Sequence, residues 1–167
     1  VQRSVILELK TVEKLHPRHD SQLLNYLLLC ELPYGKLINF GRPSVESRFV
    51  STSLKRSDRS SFSIKTNAWQ PQSDLCARIP DLLNDLLNDL GTHLDYRLYE
   101  SAIHTLLSLE ELPVAIYDQH QIIGQKPMHL LSETCALVVT GISSHLTNHI
   151  PHLKRITENS SIQHIQW

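Results

Sequence analysis

An apolar run, a leucine stripe at helical spacing and a second apolar run follow one another within the first forty residues. Val5-Ile6-Leu7-Glu8-Leu9 is β-rich and apolar on both faces, the pattern of an interior strand, and it ends at the charged Lys10. Asp20 can cap a helix over about residues 20–31, where Leu23, Leu24, Leu27 and Leu28 recur at helical spacing beside Gln22 and Tyr26. Pro33-Tyr34-Gly35 breaks that helix. Lys36-Leu37-Ile38-Asn39-Phe40 reads as a second strand, ended by Gly41-Arg42-Pro43. Strand, helix and strand at this length predict a βαβ unit, with a parallel pair and a right-handed crossover.

Residues 41–73 change character. They are rich in Ser, Arg and Lys, and Arg42, Arg48, Lys55, Arg56, Arg59 and Lys65 outnumber Glu46 and Asp58. Val45–Ser53 can hold an edge strand, and the rest reads as a linker anchored by Trp69. From Asp74, Leu75, Ile79, Leu82, Leu83, Leu86, Leu87 and Leu90 form a helical stripe with Gly91 as its C-cap. A further helix is predicted from about Leu94 to Leu109. Short strands follow at Val114–Tyr117, Ile122–Gly124, His129–Leu131 and Ala136–Thr140, with a turn at Asp118–Gln121. Pro151–Thr157 reads as weakly helical and Ile162–Trp167 as a last strand.

Composition narrows the function classes. A length of 167 residues suits one domain or two small ones, and 41% apolar with 20% charged residues reads as globular. No apolar run approaches the ~20 residues of a membrane span. A net charge of −1 excludes a uniformly basic nucleic-acid coat but not a local basic patch. Cys30, Cys76 and Cys135 form no CxxC, which argues against a disulfide scaffold or zinc ribbon and suits a reducing cytoplasm. The chain starts at Val1 and its one methionine is Met128, so it reads as a piece of a longer protein.

The sharpest chemical feature is Glu8-Leu9-Lys10. On a strand, residues 8 and 10 share a face, placing a carboxylate beside an ammonium. That pair suits metal-assisted phosphodiester hydrolysis, with the carboxylate on Mg²⁺ and the lysine orienting the attacking water. The plainer reading is a surface ion pair. Gln22 and Tyr26 lie one turn apart on the next helix and can point into the same cleft, or form only a helix rim. His16 and His19 frame Pro17-Arg18 as loop histidines near a phosphate site. His145, His149 and His152 have HxxxHxxH spacing without an HExxH glutamate, which suits a polar helix face better than a metal site. There is no P-loop, no GxGxxG and no nucleophile–histidine signature.

Three ordered stretches, Val5–Leu15, His19–Leu27 and Gly35–Gly41, together resemble the C-terminal half of GxxExxY proteins, small bacterial members of the PD-(D/E)XK nuclease superfamily. The resemblance implies that Glu8 and Lys10 are the ExK of a restriction-endonuclease-like α/β core. It implies that Gln22 and Tyr26 line the site and that Mg²⁺ or Mn²⁺ is the cofactor. The metal-binding Asp on the strand before ExK would lie upstream of Val1. This piece alone is then expected to bind metal poorly and to be inactive.

A second stretch, Leu90–Ala102, resembles the segment that gives the family its name, keeping Tyr99 but with His93 and Tyr96 at the Gly and Glu positions. His129-Leu130-Leu131 through Val138-Val139-Thr140-Gly141 resembles the two-strand core, with His129, Val139 and Gly141 in place of its Asp, Glu and Lys. The layout so implied is a partial nuclease-like domain at 1–41, a basic linker at 42–73 and a degenerate, catalytically dead second α/β copy at 74–167, cut short at its end.

The leading expectation is therefore a metal-dependent nuclease. Arg42, Arg48, Lys55, Arg56, Arg59 and Lys65 would be its phosphate contacts, unless they are a solvated linker. The alternative is a non-catalytic module of the same fold that binds nucleic acid or a partner protein. Either way Leu7, Leu9, Ile38 and Phe40 are expected to have uncovered faces, making the chain marginal or aggregation-prone unless the second half covers them.

Overall fold

A computed structural model of the chain describes residues 4–142 and 146–167. His145 lies outside the described residues. The chain divides into two compact units: Val1–Ser63 with Leu87–Asp95, and Ile64–Leu86 with Tyr96–Trp167.

In the first unit, β1 (Ile6–Lys10) and β2 (Tyr34–Asn39) pair in parallel, joined through α1 (Pro17–Leu29). β2 then pairs antiparallel with β3 (Glu46–Ser51), giving the order β1-β2-β3. The βαβ unit and the edge strand of the sequence reading are both present. Helix α1 starts earlier than Asp20: Pro17 takes the first helical position, where its missing N–H costs nothing. Leu23 and Leu27 of α1 bury against Leu37 of β2 and Leu15, with Ile6 and Val50 packed around them.

The alternation of β1 decides what this sheet presents. Ile6, Glu8 and Lys10 are half-buried, whereas Leu7 and Leu9 are 55% and 60% exposed. Among the described residues β1 pairs only with β2, so it is an edge strand where its apolar run predicts an interior one. Lys36 and Phe49 stand opposite each other on β2 and β3, and the Lys36 ammonium sits 5.0 Å from the exposed Phe49 ring.

The stretch read as a linker holds more structure than β3 alone. A short helix, α2 (Arg56–Arg59), follows, its Asp58 carboxylate accepting the Lys55 backbone N–H at 2.9 Å. Arg59 is 1% exposed and donates to Leu28 O, Leu90 O and Thr92 O. Arg56 donates to Asn88 O and Asp89 O. Helix α3 (Asp74–Leu90) ends in this unit at Gly91, whose φ of +74° and N–H bond to Leu87 O make the expected C-cap.

The second unit takes the earlier turns of α3, then α4 (Tyr96–Leu106), β4 (Glu111–Asp118), β5 (Gln121–Ser132), β6 (Cys135–Leu137), α5 (Leu146–Glu158) and β7 (His164–Gln166). Its sheet runs β4-β5-β6-β7, antiparallel except for the β6–β7 pair that α5 connects. Val114, Met128, Ala136, Ile156 and Ile162 form its core. The two short strands expected at Ile122–Gly124 and His129–Leu131 are one long strand. Pro127 does not break it because Pro127 faces Pro113 in register, where neither residue is asked for an N–H. Gln119 and His120 turn the hairpin at φ of +44° and +69°.

Proline is accommodated in α3 as well. Pro80 cannot donate to Cys76 O, and the Trp69 indole N–H donates there instead, at 3.2 Å. Trp69 thus anchors its segment as expected. The three cysteines are free thiols, and burial, with the Cys76 thiol beside it, pushes the Cys135 thiol up to about 11. Among the described residues no helix is long and apolar enough to cross a membrane.

Candidate active site

Strand β1 and helix α1 carry the four residues expected to form the catalytic site, Glu8, Lys10, Gln22 and Tyr26, and the fold brings them into one chain of contacts. Residues 8 and 10 face α1 because the strand repeat is two. Lys10 Nζ lies 2.8 Å from Glu8 Oε1 and donates to Gln22 Oε1 at 2.6 Å. Gln22 Nε2 donates to the Tyr26 hydroxyl at 3.0 Å, one helical turn on. Glu8 and Lys10 side chains are each 18% exposed, so the pair is reachable from solvent but partly desolvated. An ammonium has three protons; among the described residues two are engaged, leaving the third for an incoming oxygen. Tyr26 accepts from Gln22 and keeps its own proton to donate.

The end of β1 is held by a residue that the sequence reading passed over. Asn39 is fully buried, and its Oδ1 accepts from the N–H groups of Val12 and Gly41, both at 3.0 Å. Its Nδ2 donates to Val12 O at 2.8 Å and to Glu46 Oε2 at 3.4 Å. Phe40 N–H closes on Lys10 O at 2.8 Å. A side chain thus continues the pairing beyond the last ladder pair, Lys10 with Asn39. Gly41 is required beside it: a Cβ there would sit 2.4–2.7 Å from the backbone of Val12 and Thr11. An Asn two positions before a Gly at the end of a strand-like run was the available signal.

His19 does not act as a loop phosphate contact. It is buried in the first turn of α1, and its Nδ1 accepts the His16 backbone N–H at 3.0 Å, fixing the entry into the helix. Burial, then the charges of Arg18 and Lys10, lower its pKa below the ordinary 6.5.

The six basic candidates part company. Arg59 is buried and Arg56 is spent on helix-end carbonyls, so phosphate contact is the wrong role for Arg59 and the α3 terminus already occupies Arg56. Arg48 pairs with Asp20 at 3.1 Å. Arg42, Lys55 and Lys65 are exposed. In the second unit, His152 contacts Lys126 and His149 lies 6.4 Å from the Trp167 ring, so neither is posed as a metal ligand.

As a metal ligand, Glu8 offers a hard oxygen. Lys10 holds one of its carboxylate oxygens, and the other accepts no hydrogen bond among the described residues. Mg²⁺ is commonly held by one or two carboxylates together with substrate phosphates, so Glu8 fits as one ligand of such a site. Among the described residues no group of three His, Cys, Asp or Glu is placed to hold a metal.

Residues 1–50 match the family model of the PD-(D/E)XK nuclease superfamily. The matched stretch contains β1, α1, β2 and nearly all of β3, and with them the Glu8-Lys10-Gln22-Tyr26 chain. Nucleases of this superfamily generally use Mg²⁺ or Mn²⁺. No curated protein and no solved structure matches the chain.

Proposed function

We propose that the Glu8–Lys10 site serves metal-dependent phosphodiester hydrolysis of nucleic acid, in a nuclease of the GxxExxY type. The observation that carries this reading is the contact chain Glu8–Lys10–Gln22–Tyr26, formed within the segment that matches the nuclease superfamily. A bound Mg²⁺ or Mn²⁺ would supply Lewis-acid polarisation of the phosphoryl group and a more acidic water. Glu8 would hold that cation. Lys10 turns its free proton toward the attacking water or a phosphate oxygen, where it offsets developing negative charge. Gln22 keeps the Lys10 ammonium aimed, and Tyr26 orients Gln22. A second carboxylate, on a strand paired to the outer edge of β1, completes the site in this reading; that edge carries no strand among the described residues.

The second unit supports a degenerate copy of the same core. Its β6-α5-β7 crossover repeats the parallel strand–helix–strand order of β1-α1-β2. In this reading His129, Val139 and Gly141 take the places of the family's Asp, Glu and Lys; Val139 and Gly141 follow β6, which ends at Leu137, whereas Glu8 and Lys10 lie on β1 itself. A non-catalytic binding module is the second reading, favoured by one observation: Glu8 is the only carboxylate in the contact chain, and Lys10 already engages it.

The test is cleavage of single- and double-stranded DNA and RNA with Mg²⁺ or Mn²⁺, by this chain and by any longer protein that contains it. Glu8→Ala and Lys10→Ala are run beside it, with circular dichroism to confirm folding. Cleavage abolished in both variants establishes the site. Cleavage that survives them, or no cleavage by the folded longer protein, moves the reading to the binding module.

A further inference from the structure

Strand β5 and helix α5 bring together groups that the Glu8–Lys10 site does not use. Lys126 Nζ lies 2.8 Å from His152 Nε2. An ammonium only donates, so Nε2 accepts and the imidazole carries its proton on Nδ1. Lys126 is half-buried, and among the described residues no carboxylate pairs with it. Arg155 follows His152 by three positions on α5, on the same helical face, and likewise has no carboxylate partner there. The three side chains line a cleft of about 610 Å³ together with Tyr117, Asp118 and Asn159, over a floor of isoleucines.

Two features set this cleft apart from an ordinary solvated basic face. The Lys126 ammonium donates to an imidazole rather than to a carboxylate, and Asp118, which lines the same cleft, makes no ion pair with it among the described residues. An oxyanion supplies that negative partner, and a guanidinium one turn away adds forked donors. The volume is that of a small-molecule site rather than of a single ion. Tyr117 and Ile123 add an apolar wall on which a base can lie.

We infer that this cleft is a nucleotide site: Lys126 and Arg155 hold the phosphate, His152 aims the Lys126 ammonium, and Tyr117 with Ile123 packs against the base. The site belongs to the second unit and depends on neither Glu8 nor Lys10, so it stands or falls apart from the nuclease reading. Its ligand is a phosphate-bearing nucleotide, either free or as one unit of a strand.

The experiment is calorimetric titration of the full chain with a nucleoside 5′-monophosphate, the matching nucleoside and inorganic phosphate, then with a short single-stranded oligonucleotide. The monophosphate is expected to bind about tenfold or more tighter than the nucleoside, and Lys126→Gln and Arg155→Gln each to weaken it by about tenfold. Oligonucleotide binding tighter than the mononucleotide, and weakened by the same variants, assigns a strand as the source; equal binding assigns a free nucleotide. Arg155 is exposed on α5, so its variant keeps the test decisive should Lys126→Gln fail to fold. Equal binding of nucleoside and monophosphate, or binding unchanged in the folded Arg155 variant, overturns the site.

Discussion

Lys10 is shared between Glu8 of its own strand and Gln22 of the following helix, at 2.8 Å and 2.6 Å. The helix therefore does more than cover the sheet: it aims the lysine. Gln22→Ala leaves the ion pair but removes the acceptor that fixes the ammonium. Metal-dependent cleavage is expected to fall roughly 10–100-fold, as for other outer partners of a site, with little change in Tm. Single-turnover cleavage beside a melting curve checks this; a large loss of Tm would make Gln22 a packing residue instead.

Arg59 joins three carbonyls: Leu28 O near the end of α1, Leu90 O at the end of α3 and Thr92 O two residues beyond α3. Arg59→Ala leaves these acceptors under-satisfied in a buried place and is expected to cost about 3–5 kcal/mol. Arg59→Lys recovers little, because one ammonium cannot reproduce the planar fork. Urea unfolding of the three proteins measures it, and a loss below about 1 kcal/mol would remove Arg59 from the framework.

Asn39 and Gly41 hold the chain just beyond Lys10. Asn39→Leu strands the polar groups of Val12 and the Gly41 N–H, and is expected to destabilise by about 2–4 kcal/mol. Gly41→Ala forces the Val12 backbone aside. Faster amide exchange at Thr11–Leu15 in both variants is the specific readout, since it reports the end of β1 rather than the whole fold.

Two histidines make stability fall with acid. His104 stacks on His129 at 3.4 Å between ring centroids, and burial, then His129, lowers its pKa, while Glu111 opposes the shift. His19 is lowered chiefly by burial. A folded-state pKa below the unfolded 6.5 means the unfolded chain binds more protons in that window. The stabilisation is present above pH 6.5 and lost as pH falls through the folded values. Melting is expected at lower temperature at pH 5 than at pH 7.5, with a smaller difference in His104→Phe. An equal difference in that variant would assign the effect elsewhere.

Leu7, Leu9, Phe40 and Phe49 are all more than half exposed. Such a surface is expected to drive concentration-dependent association of the isolated chain, lessened by Phe49→Ser. Sedimentation velocity over a tenfold concentration range measures it, and a strictly monomeric wild type would contradict it.

Local pattern was enough for β1, α1, β2, β3 and α3, and for the shared face of Glu8 and Lys10. Strand and helix periods involve neighbours two to four residues apart, and a sequence displays those directly. The ordered motifs also pointed to the superfamily that residues 1–50 match. The long strand β5 was misread because Gly124 and Pro127 look like breaks until Pro113 is seen opposite Pro127.

The sequence by itself determined β1, α1, β2, β3 and α3 as elements and the shared face of Glu8 and Lys10. The tertiary structure decided how the remaining polar residues are used. Arg56 and Arg59 look like phosphate contacts in a basic run, yet their acceptors are carbonyls some thirty positions away. Asn39 clasps Val12 across 27 residues, and Lys126 meets His152 across 26. Composition shows that a charge exists; only folding shows whether a backbone carbonyl, a carboxylate or open water stands beside it, and burial then makes that partner decide the residue's role.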